Sequence, residues 1–165
     1  MNISHLSLVA SAVAVLGAGA AFGPPHITVR AGSAADVARG SAFELTVEHH
    51  TSPDQLSVTG RAEGVRAGRR VALPLTITRQ SDSRFTVARQ WDSTSAWVLV
   101  FSAEQGPHGS HGVVDAVVSI NVGGAVQRIE YTPAVIRAKS GDALPKTAEK
   151  VDAALRSLGL VVSTR

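Results

Sequence analysis

From Phe43 to Tyr131 the chain keeps returning to one rhythm: an apolar residue at every second position. Phe43, Leu45 and Val47 alternate with Glu44, Thr46 and Glu48. Val71, Leu73, Leu75 and Ile77 alternate with Ala72, Pro74, Thr76 and Thr78, and Phe85, Val87, Arg89 and Trp91 share one parity of a further run. A period of two places alternate side chains on one face of an extended chain, so these runs read as strands with one buried face. Residues 26–30 fit a short edge strand, 31–40 a loop and 56–62 a second, weaker strand. Pro74 cannot donate to a ladder, which puts its strand at a sheet edge or a bulge. Residues 96–101 are apolar on both parities and predict a central strand covered on both sides. A long strand follows over 113–122. Gly123-Gly124 then makes a tight turn, and 126–131 returns as the last strand.

Turn signals separate the runs: Ser52-Pro53-Asp54, Ala67-Gly68, Ser81-Asp82-Ser83 and Asp92-Ser93. Strands at this spacing, without helices between them, predict an all-β fold, an immunoglobulin-like antiparallel β-sandwich over residues 24–137. The period changes in the tail. Leu144, Ala148, Val151, Leu155 and Leu158 recur at steps of three and four, which predicts a short C-terminal α-helix over 142–158 with Asp142 as N-cap, Pro145 in the first turn and Gly159 after the end. Its apolar face either packs on the sandwich or forms an arm that docks on a partner.

Residues 6–21 carry no charge, and Ala18-Gly19-Ala20 offers a small-x-small cleavage pattern. Residues 1–20 therefore read as a secretory signal peptide cut near Ala20 or Ala21, and the expected location is periplasmic or secreted. The rival is a retained anchor. The stretch is short for a span of about 20 residues, contains glycines and lacks a basic stop-transfer cluster, so no stable membrane insertion is expected after cleavage. The chain has no cysteine, which removes disulfides, thiolate metal sites and thiol nucleophiles. A net charge of +3 is small. Arg61, Arg66, Arg69 and Arg70 cluster without interleaved aromatics and read as a solvated turn, not a nucleic-acid surface.

The candidates for chemistry are histidines. His49-His50 ends one strand, and His108 and His111 lie in the loop Gly106-Pro107-His108-Gly109-Ser110-His111-Gly112. Alternate loops of an antiparallel sandwich share an end, so both groups should meet at one rim. Imidazoles there could hold copper or zinc. The competing reading is a hydrogen-bonded rim histidine at His49 and solvated loop histidines at His108 and His111. Ser110, His111 and Asp115 lie too close in sequence for a hydrolytic triad, and no G-x-S-x-G elbow is present. No phosphate-binding glycine loop follows a strand. No catalytic constellation or bound cofactor is therefore expected.

At Arg89-Gln90-Trp91-Asp92-Ser93-Thr94-Ser95-Ala96-Trp97-Val98-Leu99-Val100, a turn precedes a tryptophan-led apolar strand. In this feature the chain resembles small exported bacterial immunoglobulin-like domains, including the FixH/YtkA-like group, some of which is linked to copper handling. The methionine-rich ligand pattern of exported copper carriers is missing, since the one methionine is Met1. Together the readings give an exported, non-catalytic binding or accessory module of the cell envelope, its partner an unknown protein or envelope component. A histidine-based metal-binding protein is the alternative.

Overall fold

A computed structural model describes residues 23–49, 52–136 and 146–160. The signal peptide expected over 1–20, the expected cap Asp142 and Pro145 lie outside the described residues. Two antiparallel sheets form the body. The first holds β1 (His26–Ala31), β2 (Phe43–Glu48), β5 (Ile77–Arg79) and β6 (Arg84–Val87) in the order β1-β2-β6-β5. The second holds β3 (Leu56–Arg66), β4 (Arg69–Pro74), β7 (Trp97–Gln105), β8 (Gly112–Ile120) and β9 (Val126–Tyr131) in the order β4-β3-β7-β8-β9.

The alternation sets which side chains meet. Ile27, Val29, Phe43, Leu45, Val47, Phe85 and Val87 from the first sheet pack against Ala62, Trp97, Leu99, Phe101, Val118 and Ile120 from the second. Thr46, Glu44 and Arg30 face the other way, and Arg30 pairs with Glu44 at 2.8 Å. The side of the sandwich between β1 and β9 is closed by a tether: the Val29 amide donates to the Tyr131 hydroxyl across 3.3 Å.

Several expectations need correction. Residues 71–78 are not one strand. The chain breaks at Pro74, leaves the second sheet and enters the first at Ile77, so the residue that cannot donate marks the crossing. The Gln90 amide group reinforces this corner, accepting from the Thr76 amide at 2.9 Å and donating to the Thr76 carbonyl at 3.1 Å. The strand expected over 85–91 stops at Val87, yet Trp91 still reaches the core, its ring 6.0 Å from that of Phe43. The expected loop over 31–40 contains a short helix, α1 (Ala34–Ala38). Ser33 and Asp36 form a reciprocal capping box at its start, and these hydrogen bonds hold the Asp36 carboxyl below its usual range.

The strand running 97–105 is buried on both faces because a second helix, α2 (Thr147–Ser157), lies on the outer face of the second sheet. Val151, Ala154 and Leu155 pack on Val98, Val100 and Val117. The helix ends as a Schellman motif: the Leu160 amide donates to the Leu155 carbonyl and Gly159 to Arg156, with Leu160 folded back on the apolar cluster. Its first residue is anchored by Asp115. That side chain is 5 % exposed and accepts hydrogen bonds from the hydroxyls of Ser102 and Thr147. A carboxylate buried this deeply is tolerable because both oxygens have donors.

The arginine cluster is more structured than a solvated turn. Glu63, 5 % exposed, accepts from Arg61 and Arg70, each at 2.7 Å, and Arg70 also reaches Asp152 on α2 at 2.6 Å. Arg66 lies over the Trp97 ring and donates to Asp92 at 2.7 Å, a bond that holds the Asp92 carboxyl well below its usual range. The hairpin joining β3 to β4 turns through Ala67 (φ 48°) and Gly68 (φ 72°). Two left-handed residues make the turn that matches strand twist, but alanine pays a steric penalty there. Ala67→Asn is expected to stabilise the protein by about 1 kcal/mol, measured as a higher urea midpoint at an unchanged slope.

Candidate functional site

One end of the sandwich carries the histidines. His49 follows β2 on the inward parity of Val47, and it is half-buried. Its Nε2 lies 3.2 Å from the Asp82 carbonyl. A carbonyl only accepts, so Nε2 carries the proton in this contact and is not offered to a metal. The same contact, with the Val47 amide donating to the Ser83 carbonyl at 2.8 Å, ties the end of β2 to the β5–β6 turn.

The loop between β7 and β8 is held as firmly. The Gly106 amide donates to the Gln55 carbonyl and His111 to the Gln105 carbonyl, both at 2.9 Å. Residues 107–109 form a single tight helical turn. Gly106, His108, Gly109 and Gly112 all have positive φ, so the glycines are required by the backbone and not by flexibility. A side chain at Gly106 would strike the His111 ring, with Cγ only 2.9 Å from the added Cβ. His108 takes a left-handed conformation without being glycine (φ 52°), a local strain that the surrounding bonds maintain. Both His108 and His111 are exposed. Beneath them Gln105 is 2 % exposed, and its Oε1 has no hydrogen-bond partner among the described residues.

The histidine-bearing loops therefore share one end, linked through Asp82 and Gln55. They do not gather into a ligand set: among the described residues no three His, Asp or Glu side chains come together as a metal site. His50 lies outside the described residues. Asp115 points to the opposite side of β8 from the core and serves Ser102 and Thr147, so Ser110 and His111 have no acid partner in it.

The opposite end holds a feature that the sequence reading missed. Between α1, the β1–β2 connection and the β8–β9 turn lies a cleft of about 210 Å³. Phe43 and Trp91 form its apolar floor, with Ala31, Gly32, Ala125 and Val126 around it. A second depression of about 350 Å³ adjoins it, sharing Val37, Ala42 and Arg89. Its one legible clue was Ser33-x-x-Asp36 ahead of Val37, a capping-box pattern inside the supposed loop. The small residues that create the space come from separate stretches of chain, and no local pattern joins them.

Among the described residues no helix is long and apolar enough to cross a membrane. No protein-family model matches the chain, and neither the curated proteins nor the solved structures contain a significant match to it.

Proposed function

We propose that this chain is an exported, non-catalytic recognition module of the cell envelope, built on an immunoglobulin-like sandwich. The strand orders support the scaffold reading. Lettered in that fold's convention, β1-β2-β6-β5 reads A-B-E-D and β4-β3-β7-β8 reads C′-C-F-G, with β9 added beyond G. The uncharged opening segment with its small-x-small pattern supports export to the periplasm or beyond.

The β7–β8 loop carries the functional reading. It is fixed by backbone bonds to its neighbours, contains a strained histidine and presents His108 and His111 to solvent. Rigid loops on a sandwich scaffold are the usual place for recognition. A photo-crosslinking residue at His111 should trap one discrete adduct in the source organism's envelope, and excess purified chain should suppress it. The same residue at Thr46, on the polar sheet face, should not. No adduct at His111, equal trapping at both sites, or uncleaved protein confined to the cytosol would reject the proposal.

The competing copper- or zinc-binding reading would draw on His49, His50, His108 and His111. It requires stoichiometric uptake of Cu(II) or Zn(II) by calorimetry, lost in a His49→Ala, His108→Ala double variant. The engagement of His49 Nε2 by Asp82 weighs against it.

A further inference from the structure

We infer that the cleft at the end opposite the histidines binds a small apolar monocarboxylate, with Arg89 as the counter-ion of its carboxylate. It goes beyond the recognition-module reading, adding a second site at the other end of the sandwich. The floor is hydrophobic and rigid: Phe43 is 3 % and Trp91 5 % exposed, and both belong to the main core. Val37, at the mouth, is 51 % exposed although it is a large apolar side chain. A compact hydrocarbon tail seated here would remove apolar surface from water on both sides.

Arg89 sets the charge. It lines both depressions and lies against the β8–β9 turn, where a Cβ on Gly124 would come within 2.8 Å of its Nη2. Neighbouring arginines are committed: Arg30 to Glu44, Arg39 to Asp36 and Arg66 to Asp92. Arg89 has no carboxylate among the described residues. A guanidinium offers a planar fork that a carboxylate accepts with two oxygens. An unpaired fork beside an apolar floor is complementary to a molecule with one acid group and a short hydrophobic body. The cleft is smaller than the roughly 300–1,000 Å³ of drug-sized sites, which excludes long-chain lipids as fully enclosed ligands.

The test is a titration of the full chain with 3-phenylpropionate, followed by amide and indole NMR shifts. Saturable shifts are expected at Val37, Ala125, Val126 and the Trp91 indole. The uncharged 3-phenylpropionamide should bind about tenfold more weakly. Arg89→Ala should weaken the acid about tenfold while leaving the amide unchanged. Because Arg89 is exposed, the variant should fold, and Val37→Glu provides a second check: lost apolar contact at the mouth weakens both ligands, and the added carboxylate weakens the acid further by repulsion. The inference fails if no saturable shift appears at millimolar acid. It also fails if Arg89→Ala weakens acid and amide alike, or if the shifts fall on His108 and His111. Failure here with the His111 adduct intact would remove the ligand class and leave the recognition module standing. Loss of the adduct with acid binding intact would do the reverse.

Discussion

Ending the chain at Ile136, and so removing α2, is expected to yield a protein that does not fold cooperatively. The helix covers Val98, Val100 and Val117, each no more than 1 % exposed. Re-exposing three valines costs about 4–5 kcal/mol by area, against a total stability of about 5–15 kcal/mol for a domain of this size. Losing Thr147 also removes a hydroxyl that holds Asp115, and water takes its place on the uncovered face. The two strands left bare, β7 and β8, are interior strands of the five-stranded sheet. An exposed apolar face of that kind invites aggregation. Circular dichroism and light scattering on the shortened chain should show a broad or absent melting transition and association at micromolar concentration. A sharp, reversible transition within a few degrees of the parent would show that α2 is an independent appendage.

Trp97→Ala carries the largest expected effect of a single substitution, a loss of about 3–5 kcal/mol. Trp97 is fully buried at the start of β7. It fills the space left by Gly64, where an added Cβ would lie 2.8 Å from the indole ring, and Arg66 covers it from the side, 5.2 Å from the ring centroid. Neighbours bound into two sheets cannot collapse far into the void, so the cavity cost comes on top of the lost transfer energy. The urea midpoint should fall by more than half if the parent stability lies near the lower end of the usual range. Trp91→Phe is the contrasting case: it keeps the ring contact with Phe43 and deletes a buried indole N–H that has no acceptor among the described residues. Its cost should be about 1 kcal/mol or less. Equal losses for the two variants would overturn the assignment of Trp97 as the centre of the core.

The legible parts of this chain were those written in a local period. The two-sided apolar run from Ala96 became the doubly covered strand β7, and the three-and-four spacing around Val151 became α2. The histidine-bearing loops could be placed at one end by counting reversals of direction. Features that join distant segments were not legible. Pro74 marked an interruption, but nothing nearby said that the chain would change sheets there. Asp115 stands as an isolated acid within an apolar strand, and its partner Thr147 lies far along the sequence beyond a stretch outside the described residues. Glu63 looks like a surface residue until Arg70, across the hairpin, folds over it. The cleft beside Arg89 arises from small residues at the ends of both sheets, with Val37 of α1 at its mouth, and a reading of periodicity passes over such residues as filler.

α2 and the strand pair β7–β8 form one cooperative unit with the sandwich, which leaves its two ends as the surfaces proposed for recognition. Native-state hydrogen exchange resolves this directly. Amides of β7, β8 and residues 150–157 should exchange together, at the slowest rates and with the denaturant dependence of global unfolding. Exchange of the helix amides by a separate opening several kcal/mol below the global value would instead make the covered face a transient surface and contradict a single cooperative unit.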